Sequence, residues 1–318
     1  MIVVLLLILG FALLIKGADW LVTGASSLAK KYKVSELVIG LTIVAFGTSA
    51  PELVVNIIAS AGEYDDVVFG NVIGSNIFNL LLILGVAGLI YPITVQVKTV
   101  WKEIPYSILA GLILIMLVND TLLWKQENNL FRLPDGIILL FFFIVFLIYI
   151  FRNLRAEGGK EFDNTKVYGT LLTAAYIITG FAGLIIGGRL VVKNAVEIAH
   201  RFSVSEKLIG LTIVSIGTSL PELATSAVAI IKRKSDLAIG NVIGSNIFNI
   251  FLILGVSGII SPLDYNTSFN TDVLVYILSS SFLFIAMFTG VKKKLDRWEA
   301  GLLLLFFVVY MAFVIWRK

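Results

Sequence analysis

Ten predominantly apolar runs follow one another along the 318-residue chain, each close to the ~20 residues that an α-helix needs to cross a bilayer. The spacing predicts spans at residues 2–22, 35–61, 67–90, 104–119, 133–151, 167–190, 207–231, 237–260, 272–290 and 298–316. Little is left between them, so no separate soluble domain is expected. Residues are 58% hydrophobic and only 14% charged, a balance that cannot supply the wet surface of a soluble globule of this size. The fold class expected is therefore all-α, a polytopic membrane protein of ten transmembrane helices. The first run has no basic residue before it and no small-residue cleavage site after it, and reads as a retained span. There is no cysteine, which excludes disulfides and thiolate chemistry. The basic excess sits in short loops, where membrane proteins collect it, so no nucleic-acid partner is implied.

The chain repeats itself. A shift of 170 residues aligns 34–90 with 204–260 without a gap, with identities of 15 in 20, then 3 in 17, then 16 in 20. Such self-similarity divides the protein into a first five-helix repeat (1–151), a connector (152–166) and a second five-helix repeat (167–318). If the amino terminus is outside, sixteen lysines and arginines face inward and eight outward, which favours both termini extracytoplasmic and a cytoplasmic connector. Five spans is an odd number, so the second repeat would enter upside down, an arrangement common among secondary transporters. Trp20, Trp101, Trp124, Trp298 and Trp316 fall near the predicted span ends, as interfacial aromatics do.

What the repeats preserve is polar. Gly47-Thr48-Ser49-Ala50-Pro51-Glu52 returns as Gly217-Thr218-Ser219-Leu220-Pro221-Glu222, and Gly70 to Asn79 returns as Gly240 to Asn249. The first pair lies mid-span: residue 48 is near the centre of span two, and Glu52 is about 6 Å further along at 1.5 Å per residue. Glu222, Asn79 and Asn249 come out at similar depth, with Ser75 and Ser245 one turn before the asparagines and on the same face. Serine, proline and glutamate here have the spacing of a helix restart with a capping box, and proline should break the span into two half-helices. Capping alone leaves the glutamate unexplained, since a carboxylate at the bilayer centre costs ~3 kcal/mol or more and serine would cap without it. Carboxylate, hydroxyl, amide carbonyl and unwound main chain are all hard oxygen ligands. They suit Ca²⁺, which takes ~6 to 8 of them, or Na⁺ of similar radius. Protons should compete with cations for the same carboxylates.

At these residues the sequence resembles the Ca²⁺/cation antiporter superfamily, specifically the prokaryotic sodium/calcium exchangers, along essentially its whole length. The resemblance implies ten helices and exchange of Na⁺, about three, for one Ca²⁺ by alternating access. It implies ion ligands at Thr48, Ser49, Glu52, Ser75 and Asn79 and at Thr218, Ser219, Glu222, Ser245 and Asn249, with main-chain carbonyls at Ala45 and Ser215. It also implies that spans one and six slide as a pair against the rest. Asn249 stands where potassium-dependent relatives tend to carry aspartate, and Gly-Thr-Ser stands where proton-coupled relatives usually read Gly-Asn-Ala, so Na⁺ is favoured over K⁺ or H⁺. Ca²⁺ and Na⁺ are then cargo; no organic cofactor, no enzymatic activity and no required protein partner is implied. A multi-pass protein of the plasma membrane is expected.

Rival readings remain. A Ca²⁺/H⁺ or potassium-dependent exchanger would use the same scaffold, and a cation channel could use the same oxygens but would pass ions without a counter-ion. An intramembrane hydrolase lacks its parts: no aspartate or histidine is predicted at mid-depth. Asp19 and Lys16 read as a local ion pair, His200 as a solvated loop residue, and Glu63, Asp65 and Asp66 as a polar loop.

Overall fold

The computed structural model describes residues 2–97, 99–124, 128–152, 166–201, 215–291 and 293–317. The helices are α1 (Ile2–Tyr32), α2 (Glu36–Thr48), α3 (Ala50–Ala61), α4 (Asp65–Ile90), α5 (Thr99–Leu117), α6 (Asp120–Trp124), α7 (Leu133–Arg152), α8 (Thr170–Arg201), α9 (Ser215–Thr218), α10 (Leu220–Ile231), α11 (Ser235–Ile260), α12 (Phe269–Ala286) and α13 (Arg297–Trp316). Among the described residues, eight helices are long and apolar enough to cross a membrane, and nine if the bent pair α2 and α3 is one span. The start of the span expected at 207–231 and nearly all of the connector at 152–166 lie outside the described residues.

Two helices run well past their apolar runs. α1 continues to Tyr32 and α8 to Arg201, because a helix already begun adds residues at little cost where packing holds them. Ser26, Ser27, Ala25 and Ala29 of the α1 extension are all buried. Trp20 therefore sits inside a helix and not at its end.

The chain divides into two compact units that cut across its halves: residues 1–51 with 154–241, and residues 52–153 with 242–318. In the first unit α1 and α8 pack antiparallel along small residues. A β-carbon on Gly17 would lie 2.7 Å from Leu184 N, and one on Gly180 would lie 2.7 Å from Leu21 N. Glycine is required for that approach, as in many membrane helix pairs. Ser27 Oγ and Thr173 Oγ1 close the pair at 3.0 Å. Asp19 takes Lys232 at 2.7 Å as its partner, where the sequence suggested Lys16, because the loop after α10 reaches α1. Lys234 likewise meets the buried Glu36 at 2.7 Å.

The second unit is built reciprocally. The strand Ile93–Thr94, which follows α4, pairs antiparallel with Lys294–Leu295, which precedes α13. Leu263–Asp264, which follows α11, pairs in the same way with Leu130–Phe131, which precedes α7. α13 packs on α4, α7 packs on α11, and α5 and α12 run against each other with Tyr276 and Ser107 hydroxyls 2.7 Å apart.

In both units large apolar side chains face outward: Leu5, Ile8 and Phe11 on α1 and Leu305, Val308 and Val309 on α13 are exposed. That much apolar surface is at home only in lipid. Against this, 72% of the apolar window of α4 and 78% of that of α11 are buried, the highest shares among the eight helices. These two helices carry the ten-residue polar motif.

Candidate functional site

The expected break in span two is present. α2 and α3 meet at Ser49 with a bend of 47°. A π-turn at Gly40–Val44 comes just before it, and such turns free carbonyls from the regular ladder. Ser49 (φ −83°, ψ 3°) and Ser219 (φ −89°, ψ 6°) share one backbone shape, so the two copies break alike. In the second copy the capping-box expectation does not hold, because Ser219 makes no side-chain cap and its main-chain carbonyl instead accepts from Leu223 N–H at 3.1 Å. Main chain turns this corner, and the hydroxyl is not spent on capping the helix.

In the first unit the Ser49 hydroxyl has a different task. Ser49 Oγ donates to Glu222 Oε1 at 3.0 Å, both residues being buried. Thr48 Oγ1 lies 3.1 Å from Asn241 Oδ1 and 3.3 Å from the carbonyl of Ala45; it has one proton, and the amide oxygen is the nearer acceptor. The Ala45 carbonyl also accepts from Ser49 N–H at 2.9 Å. Asn241 is itself held by donation to Ser226 Oγ at 3.0 Å. Both motif glycines lie against α8: a β-carbon on Gly47 would fall 2.0 Å from the Phe181 ring, and one on Gly217 would fall 2.1 Å from Val192 Cγ2. α9 contains Ser215 and Thr218, and Ser219 is buried at its end.

In the second unit the asparagines interlock. Asn79 Nδ2 donates to Asn246 Oδ1 at 3.0 Å, and Asn249 Nδ2 donates to Asn76 Oδ1 at 2.9 Å. Asn76 Nδ2 reaches the main-chain carbonyl of Asn246 at 3.2 Å, and Asn246 Nδ2 reaches that of Asn76 at 3.4 Å. Asn79 opens a π-turn (Asn79–Ile83) and Asn249 lies in another (Phe248–Leu254). Asn79 Oδ1, Asn249 Oδ1 and Ser245 Oγ are buried and take no hydrogen bond among the described residues. Buried acceptors in this state are rare and ask for an explanation such as an ion. Glu52 and Ser75 are buried in this unit as well. Asn71 donates to Asn56 Oδ1 at 2.6 Å, the counterpart of the Asn241 to Ser226 bond 170 residues later.

Of the expected ligands, then, Ser49 is joined directly to Glu222, and Asn79 and Asn249 are joined through Asn246 and Asn76. The residues that sequence reasoning passed over are Asn241, Asn76 and Asn246, and one signal for them was there: all three stand unchanged in both copies. Among the described residues no group of three or more acidic, histidine or cysteine side chains converges as a resident metal centre would. Glu63 lies before α4, whereas Asp65 and Asp66, expected in a loop, form its first turn; the three line a surface cleft of about 480 Å³ with Asp264 and Tyr265, where Asp65 Oδ2 accepts from Asp264 N–H at 2.8 Å. The side chains of His200 and Lys207 lie outside the described residues.

The model of the family described as "Sodium/calcium exchanger protein" matches residues 2–152 and 172–316. The chain is 34% identical over 353 residues to the sodium/calcium exchanger MaX1 of Methanosarcina acetivorans, covering 96% of this chain and 97% of that protein. It is 36% identical over 321 residues to the inner membrane protein YrbG of Escherichia coli, covering 98% and 96%. The solved structure of the sodium-calcium exchanger NCX_Mj soaked with Na⁺ and Ca²⁺ superposes with a TM-score of 0.82 at 32% identity, over 98% of each chain.

Proposed function

The chain belongs to the sodium/calcium exchanger protein family, and from that membership and the wiring of its motifs we propose a secondary active antiporter that exchanges Na⁺, about three, for one Ca²⁺ by alternating access. The observation that carries this reading is the hydrogen bond from Ser49 to Glu222, which ties the motif of the first copy to the carboxylate of the second. Neither copy is a device by itself.

In this reading Glu52 and Glu222 supply the charge. One Ca²⁺ balances two carboxylates, whereas Na⁺ must bind in number to do the same. Loading with one kind of ion therefore excludes the other, which is what obligatory exchange requires. Thr48, Ser49, Ser75, Asn79, Thr218, Ser219, Ser245 and Asn249, with the carbonyls of Ala45 and Ser215, complete an oxygen-only ligand set suited to hard cations of this size. The missing acid at Asn249 and the Gly-Thr-Ser form of both motifs favour Na⁺ as the counter-ion over K⁺ or H⁺.

The scaffold is proposed as ten helices in two inverted five-helix repeats, 1–151 and 167–318, with both termini extracytoplasmic and the connector 152–166 cytoplasmic. The antiparallel course of α1 and α8, which occupy equivalent places in the two copies, supports inversion. So does the antiparallel pairing of α5 with α12. α1 and α8 are the proposed moving pair, and the contacts of Phe181 and Val192 with the motif glycines would pass their movement to Thr48, Ser49 and their counterparts.

Ca²⁺ uptake into proteoliposomes loaded in parallel with Na⁺, Li⁺, K⁺ or acid tests the reading. Uptake should follow the Na⁺ load; uptake driven equally by a proton gradient would make the protein a Ca²⁺/H⁺ exchanger, and flux with no exchangeable ion inside would make it a channel.

A further inference from the structure

Each ten-residue motif holds an asparagine, Asn76 or Asn246, three residues before the one assigned to ion binding. The two ends of an amide are nearly the same size and differ only in which of them donates and which accepts. Here main-chain carbonyls decide between them. The Asn76 side chain faces the carbonyl of Asn246 at 3.2 Å, and a carbonyl only accepts, so the facing atom is Nδ2. The other end, Oδ1, must then face a donor, and Asn249 presents its Nδ2 at 2.9 Å. The reciprocal chain runs from the carbonyl of Asn76 through Asn246 to Asn79 Nδ2, at 3.4 and 3.0 Å. With both nitrogens used in this way, Asn79 Oδ1 and Asn249 Oδ1 are left as buried acceptors with no donor among the described residues.

We propose that Asn76 and Asn246 are positioning residues that fix the amides of Asn249 and Asn79 in one orientation, so that each ligand asparagine can offer a cation only its oxygen. An unpinned amide could turn its NH₂ toward the ion and repel it. The pinning crosses between the copies, Asn76 setting Asn249 and Asn246 setting Asn79, so the two ligands are oriented together. The inference rests on the cation-binding reading above. A purely structural alternative is that the asparagines only clamp α4 to α11.

A double-mutant cycle separates the two, because aspartate at 249 has two equivalent oxygens and needs no orienting. The Ca²⁺ concentration for half-maximal uptake is measured in Na⁺-loaded proteoliposomes. Asn76→Ala should raise it about tenfold with the maximal rate within about threefold, as expected for loss of one oriented ligand. In an Asn249→Asp background the same substitution should cause no rise. An equal rise in both backgrounds, or no rise in the native background, overturns the proposal. Should Asn76→Ala not fold, the reciprocal cycle decides: Asn246→Ala should raise half-saturation about tenfold in the native background and cause no rise in an Asn79→Asp background, and an equal rise in both overturns the proposal. Glu222→Gln is run beside them. If it leaves uptake intact, the cation-site reading itself fails; if it abolishes uptake while the cycle shows equal rises, only the positioning role fails.

Discussion

Ser49 Oγ donates to Glu222 Oε1 across 3.0 Å, a bond between residues 173 positions apart that neither copy of the repeat could make alone. A hydroxyl aimed at a buried carboxylate stabilises its charged form and holds it in one rotamer. The lone pairs that remain on the two residues are then fixed in direction, which is how a cation distinguishes a site from a greasy channel wall.

Hydrogen bonds to charged groups contribute about 1.5 to 3 kcal/mol, so Ser49→Ala should raise the Ca²⁺ concentration for half-maximal uptake by about tenfold or more. Ser49→Thr keeps the hydroxyl and should stay near the native value. A concentration series of initial uptake rates in proteoliposomes reads both.

The motif glycines give a test in which the sign itself is informative. Glycine to alanine inside a helix ordinarily stabilises by about 1 kcal/mol. At Gly47 the added carbon would meet the Phe181 ring at 2.0 Å, so Gly47→Ala should lower the thermal midpoint in detergent, with an overpacking cost of about 1 to 3 kcal/mol. Phe181→Leu in the same molecule should recover part of the loss. An unchanged or higher midpoint for Gly47→Ala would mean that α8 does not lie on the motif.

Much of this was legible beforehand, for reasons that can be named. Apart from the far ends of α1 and α8, apolar length located the described spans within a few residues, because lipid leaves a helix few alternatives. Pro51 announced the break at Ser49, and the internal repeat singled out both polar motifs. The extensions of α1 and α8 were missed because residues 23–32 and 191–201 mix small, polar and charged side chains with apolar ones, and a helix already begun carries on through them without an apolar run to mark it. Lys232 displaced Lys16 as the partner of Asp19 because only the fold brings the two together. Asn241, Asn76 and Asn246 were passed over although both copies keep them, because their partners Thr48, Asn249 and Asn79 are brought to them only by the fold. The π-turns at Asn79–Ile83 and Phe248–Leu254 have no sequence signature at all.

Acid should compete with Ca²⁺. A carboxylate binds a cation only when deprotonated, so lowering the pH adds a competitor for Glu52 and Glu222 and raises the Ca²⁺ concentration needed for half-maximal uptake; raising the pH does the reverse until both are ionised. Uptake measured at several pH values with equal pH on both sides of the membrane checks this without imposing a proton gradient. Half-saturation that stays constant well below neutral would count against carboxylate ligands.

The most direct test of exchange through two buried glutamates is Na⁺-driven Ca²⁺ uptake by the single variants Glu52→Gln and Glu222→Gln, each confirmed as folded and reconstituted. Glutamine keeps the shape and one carbonyl oxygen and removes the charge that one Ca²⁺ must balance. The account predicts that each variant alone reduces uptake by at least about a hundredfold, the order expected when a buried charge partner worth ~3 kcal/mol is lost. Uptake at the native rate by either variant would contradict it.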